Sequence, residues 1–251
     1  MVYILGDRPF GPNPQIGLSS GLTVDNGGWS SQNRYPRQLA DVNGDNRADI
    51  VGFGLNDVYV SLANADGTFA SAQVGFSDGF TVNDGGWNSQ DRYPRQLADV
   101  NGDGLADIVG FGFDNVFVSL AKGDGTFEQA QIGLLDGFTV NDGGWSSDIY
   151  LQLKYPRELA DVNGDGRADI VGFGLNDVYV SLVKEDGTFR SAQVGLADGF
   201  TVNDGWTSQD QYPRQLADVN EDGRIDIVGF GQDRIYVSLG NGDGTFFPAN
   251  V

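Results

Sequence analysis

Residues 161–174 read DVNGDGRADIVGFG, and the pattern returns, slightly altered, three more times along a chain of 251 residues. Asp161, Asn163, Asp165 and Asp169 stand at places one, three, five and nine of a short loop, with Gly166 after the third of them. Calcium takes six to eight oxygens at roughly 2.3–2.6 Å, so carboxylates, an amide oxygen and a backbone carbonyl must converge from one tight turn, and a glycine lets the chain bend between them. The spacing therefore predicts a calcium loop. In an EF-hand a Glu at the twelfth place leads into a helix, whereas here Ile170 and Val171 follow the ninth residue at once, so the loop joins strands. The other copies place Asp41, Asn43, Asp45 and Asp49; Asp99, Asn101, Asp103 and Asp107; and Asp218, Asn220, Asp222 and Asp226 in the same order. Arg47, Leu105, Arg167 and Arg224 hold the seventh place, where a backbone carbonyl would serve. Up to four Ca²⁺, one per repeat, are expected. The competing reading is a set of Asx turns without metal. An ion here suits a scaffold role better than direct contact with a ligand, because the copies are nearly identical.

The tetrad Tyr-Pro-Arg-(Gln/Glu) marks the period, beginning at Tyr35, Tyr93, Tyr155 and Tyr212. The second copy holds four strand-like runs: residues 95–100 before the loop, 107–112 after it, then 116–120 and 131–140. Asp124-Gly125 between the last two is a hairpin signal that recurs at Asp66-Gly67, Asp186-Gly187 and Asp243-Gly244, most simply as a structural turn. Four short strands per period of about sixty residues indicate an all-β fold, a β-propeller in which each period is one four-stranded blade. Four repeats give four blades in a single domain spanning residues 1–251. Residues 10–29 match the last strand of a repeat, and the C-terminus stops at Phe246-Phe247 before that strand. Residues 1–34 are thus expected to complete the last blade and to close the ring by joining N- and C-terminal strands. Residues 1–5 echo a third strand and find no place in this scheme.

Composition narrows the partners. Fifteen Lys and Arg stand against 35 Asp and Glu, a net charge of −20, which excludes phosphate-directed binding of nucleic acid and disfavours anionic membranes. There is no Cys, hence no disulfide framework or thiol nucleophile. No run of about 18 apolar residues predicts membrane insertion, and no signal peptide is visible at the start. The chain reads as soluble, with secreted and cytoplasmic locations both open. With no His, no Cys and acids repeated fourfold, the asymmetric pair of carboxylates that a glycosidase requires is not apparent, so no enzyme is expected.

PRQLADVNGDGLADIVGFG followed by VFVSLAKGDGTF resembles the FG-GAP/VCBS repeat of integrin α-subunit propellers. With the added Gly-Gly-Trp segment the chain is most similar to the Psathyrella velutina lectin family, over nearly its whole length. Propellers of that family have seven blades, so four repeats leave a four-bladed ring or paired chains forming a larger ring. The resemblance implies monosaccharide pockets between adjacent blades and calcium in some loops. It leaves the sugar open.

Each repeat carries a variable segment ending in Trp: Asn26 and Trp29; Asn83, Asp84 and Trp87; Asn141, Asp142 and Trp145; Asn203, Asp204 and Trp206. Trp-to-Tyr spacing is six except in the third repeat, where residues 148–153 enlarge the loop, and the fourth has lost a glycine. Variation on a repeated scaffold falls at binding rims. A sugar lays its C–H face on an aromatic ring while Asn, Asp and amides take its hydroxyls, so Asn83, Asp84, Trp87 and Arg92 are expected to form such a pocket with the adjacent blade. The same Trp residues equally suit inter-blade core. Arg37, Arg95, Arg157 and Arg214, beside the first strand of each repeat, are expected to pair with carboxylates at the blade junctions. The expectation is a calcium-containing, multivalent lectin whose partners are glycans or glycoproteins. The alternative is an integrin-like adhesion module without sugar binding. Association into a homo-oligomer is open.

Overall fold

A computed structural model of the chain describes residues 15–142, 145 and 155–248. The architecture is all-β, a four-blade β-propeller with no helix among the described residues. Blade one is β1 (Arg37–Ala40), β2 (Asp49–Phe53), β3 (Val58–Ser61) and β4 (Gln73–Phe76). Blade two is β5 (Arg95–Ala98), β6 (Asp107–Phe111), β7 (Val116–Ser119) and β8 (Gln131–Leu134). Blade three follows with β9 (Arg157–Ala160), β10 (Asp169–Phe173), β11 (Asp177–Ser181) and β12 (Gln193–Ala197). Blade four has β13 (Arg214–Ala217), β14 (Asp226–Phe230) and β15 (Ile235–Ser238).

Each sheet is an antiparallel meander in chain order. β1 lies beside β5 and β5 beside β9, so the first strand of each repeat is innermost. The DIVGF strands and their VYVS or VFVS partners carry β-branched and aromatic residues on both faces because each blade is covered by its neighbours. Val51, Phe53, Val58 and Val60 are fully buried, and so are Val109, Phe111, Val116 and Val118 one blade on. The core is three clusters, one at each junction between consecutive blades. The last strand is shorter than expected. β8 ends at Leu134 because Gly137 and Phe138 both take positive φ (104° and 58°), which turns the rest of the run into a loop.

At the chain ends the described residues show a three-stranded blade four, with β15 as its edge. Gly17 accepts the Phe69 N–H at 2.8 Å, the bond that Gly75, Gly133 and Gly195 offer to Phe127, Phe189 and Phe246 of the next blade. Residues 15–29 thus stand before blade one as residues 73–87 stand before blade two. The remainder of the expected closing segment, residues 1–14, lies outside the described residues, as do Gly143, Gly144 and the insertion at 148–153.

Candidate functional site

The four loops are built alike. Asp41 accepts the N–H groups of Asn43, Gly44 and Asn46 at 3.2, 2.7 and 2.7 Å. Asp99, Asp161 and Asp218 bind their own loops in the same way. Asn43, Asn101, Asn163 and Asn220 donate to Asp45, Asp103, Asp165 and Asp222. Those acids also accept the N–H of the seventh residue, Arg47, Leu105, Arg167 or Arg224. Arg47 and Arg167 further pair with Asp45 and Asp165 through their guanidinium groups. The ninth residue faces inward: Asp49, Asp107, Asp169 and Asp226 are fully buried. One oxygen of Asp107 accepts from Ala121 at 2.7 Å and the other from Val100 at 3.1 Å, fixing the loop to the segment after β7. Burial pushes Asp107 and Asp169 up to about 7, and the neighbouring loop aspartates add to the effect.

The donors have the right chemistry for calcium, yet among the described residues no group of three or more acids converges on one point. In this arrangement the loop oxygens accept backbone N–H groups. The second left-handed position of each loop was not anticipated. Places four and six both have positive φ, including Asn46 (62°) and Glu221 (61°) where the other copies have glycine.

The Trp segments resolve into two parts. Trp29, Trp87, Trp145 and Trp206 are buried, 3–8% exposed, and belong to the core between elements. Trp87 packs edge-on to Tyr93 and Phe117 and tilted against Phe80. Its ring tip fills the space above Gly110, where a Cβ would lie 2.6 Å from it. The Gly-Gly-Trp and Gly-Phe-Gly motifs are therefore two halves of one contact. Phe80 takes a left-handed φ of 57°, as do its counterparts Leu22, Phe138 and Phe200, a conformation uncommon for a bulky residue. Its carbonyl then accepts the buried Arg95 guanidinium at 3.1 Å. Arg95 also donates to Gln90 and lies 5.4 Å over the Phe53 ring of blade one. The expected pairing of Arg37, Arg95 and Arg157 with carboxylates is replaced by bonds to the Leu22, Phe80 and Phe138 carbonyls. Those carbonyls reach the guanidinium without the cost of desolvating a second charge. Arg214 bonds to Phe200 in the same way, with the charge of Glu158 nearby.

The Asn and Asp of these segments are exposed. Asn83, Asn141 and Asn203 strap the loop to the preceding blade, donating to Asn56, Asp114 and Asn176 at 2.8, 2.9 and 2.6 Å. Asp84 turns the other way. With Asp78, Gly79, Phe80 and Trp87 it faces Asp114, Asn115 and Phe117 across a cleft of about 390 Å³ on blade two. The same cleft recurs on blade four at about 750 Å³, where Asp198, Asp204, Phe200 and Trp206 face Gln232, Asp233 and Tyr236. Arg92 lies outside the cleft wall, stacked 4.9 Å over Tyr93. On blade three, Asp136 and Asp142 border a cleft of about 560 Å³ that opens toward Lys184 and Thr188. Asn26 is exposed beside buried Trp29. The partners that sequence reasoning missed are Asp78, Asp198 and the β-turn acids Asp114 and Asp233. The signal was available in the Asp-Gly-Phe that precedes Thr-Val in three of the four repeats, although only folding sets it opposite the β-turn.

The two clefts share one composition: three carboxylates beside aromatic side chains, with no basic side chain in the lining. No protein-family model matches the chain, and no curated protein matches it. Among solved structures it is similar to a lectin from Agrocybe aegerita, described for specific recognition of non-reducing terminal N-acetylglucosamine. Identity is 42% over 90% of this chain, with a TM-score of 0.82. The chain spans 54% of that lectin's length. The Photorhabdus luminescens Tc holotoxin pore is similar in fold alone, with 22% identity, a TM-score of 0.56, and coverage of 85% of this chain and 9% of that one. No helix among the described residues is long and apolar enough to cross a membrane.

Proposed function

We propose that this chain binds carbohydrate without transforming it, through the clefts between the Trp segment and the β-turn on blades two and four. The observation that carries the reading is the shared lining of the clefts on blades two and four. Carboxylates accept hydroxyl protons, ring edges meet the C–H face of a pyranose, and the absence of cations in the lining disfavours anionic ligands. Similarity to a lectin that recognises terminal N-acetylglucosamine supports glycans ending in that sugar as the first ligands to try. More than one such cleft on one rigid fold gives avidity on a glycan-coated surface.

A glycan array tests the reading directly. Binding to glycans ending in N-acetylglucosamine is expected, and Asp84→Ala should lower the calorimetric stoichiometry for the free sugar by one site while leaving the melting temperature unchanged. A flat array with a folded protein would remove the lectin reading and leave a protein-adhesion module. Calcium in the loops is a separate proposal. It rests on the Asp and Asn spacing and on the relief a cation would bring to the buried Asp107 and Asp169.

A further inference from the structure

The junctions inside the chain are built alike: all three share one Arg–Phe contact, and the first two add the same backbone bonds. The Arg95, Arg157 and Arg214 guanidinium groups lie 5.3–5.4 Å over Phe53, Phe111 and Phe173 of the preceding blade. Gln38 and Gln96 donate to the Arg95 and Arg157 carbonyls, and Ala106 and Ala168 donate to the Asp41 and Asp99 carbonyls at 2.8 Å. Around these bonds Val42, Phe53, Val58 and Val60 are sealed at 0% exposure, as are Val100, Phe111, Val116 and Val118 at the next junction.

The corresponding residues of blade four are open. Val219 is 49% exposed, Phe230 37%, Ile235 60% and Val237 37%. At the other end Leu39 is 66% exposed, whereas Leu97, Leu159 and Leu216 at the same place pack into the junction cores. Arg37 stands in the Arg95 place, beside an open apolar hollow of about 250 Å³ formed with Leu22, Leu39 and Ile50. The described residues therefore present the two halves of the blade junction, one on blade four and one on blade one. Both are exposed at once, so among the described residues neither covers the other.

We propose that the open face of blade four receives the open face of blade one of a second copy of this chain, and that two copies close head to tail into one ring. Phe230 would lie under the partner's Arg37, and Val219, Ile235 and Val237 would pack against the partner's Leu39. Such an interface is heterologous, and two identical junctions satisfy both open faces of both copies. Two four-blade arcs make eight blades, within the range of about 4–8 found in propellers. Exposed apolar strand faces, with an edge strand unpaired among the described residues, are otherwise aggregation sites, which gives the arrangement its driving force. Nothing in the proposal depends on sugar binding.

Sedimentation equilibrium of the full chain tests it. The expected mass is twice 26.9 kDa. Leu39→Asp and Ile235→Asp, each at an exposed position and checked for native circular dichroism, should each give monomer. An equal mixture of the two variants should restore a dimer, because one of its two junctions then contains no substituted residue. A monomer of the unsubstituted chain up to high micromolar concentration would overturn the proposal. Dimers unaffected by either substitution would overturn it too. Open-ended oligomers would overturn closure at two copies.

Discussion

Gly110 shows how one missing methyl group connects two motifs. A Cβ there would stand 2.6–2.7 Å from the Trp87 and Phe80 rings, so Gly110→Ala forces a shift in a packed junction. Overpacking of this kind costs about 1–3 kcal/mol, and a lowered midpoint in urea denaturation is the expected result. Glu158 is a second informative residue, since the same place holds Gln38, Gln96 and Gln215 in the other blades. Burial pushes its carboxyl up to about 7, with the Arg214 charge opposing. An acid raised in the folded state holds its proton more tightly there. Its contribution to stability is complete below about 4.5 and is lost as the pH rises through about 7. Glu158→Gln should therefore match the unsubstituted protein at pH 4 and exceed it by roughly 1–2 kcal/mol at pH 8. An increment that does not grow with pH would refute the assignment.

At the scale of the element, the loop after each first strand behaves as a fastener. Its first aspartate organises the turn, and its ninth, buried, binds two separate backbone segments. These bonds hold the loop through protein groups, and a bound cation would add to them. If ions occupy the loops, binding to the folded state alone raises stability by mass action, and excess chelator lowers the melting temperature. The proposal of calcium predicts that fall, reversed by added Ca²⁺; no change would mean that Asx hydrogen bonds hold the loops unaided. Strand positions were legible in the sequence because β-branched pairs and Asp-Gly turns recur in fixed order. The early end of the fourth strand was not, because a Phe with positive φ leaves no local signature. Phe80 is held in that conformation by Arg95, fifteen residues further on.

For the whole molecule, the asymmetry between ends matters most. β3, β7 and β11 are each flanked by two strands, while β15 has one neighbour among the described residues and carries exposed Ile235 and Val237. In dilute solution, with the chain monomeric, β15 amides should exchange with deuterium faster than those of β7. Protection equal to that of β7 at every concentration would contradict an open edge. The candidate site was legible in part. Asp84 and Asp204 were singled out from the sequence and line clefts, but the Trp residues between them turned inward and Arg92 stacked elsewhere.

The sequence by itself determined the repeat, the strands, the blade count and the position of the variable segments, because each follows from local periodicity and turn chemistry recorded four times. Only the tertiary structure decided which face of each segment meets solvent. Trp87 goes under Gly110 while Asp84 stays outside, a choice made by a glycine more than twenty residues away. Likewise only folding buries Asp107 and Asp169 and sets their two oxygens on backbone segments 7 and 14 residues away. Contacts between distant segments set both outcomes, and a pattern of residue types cannot record them.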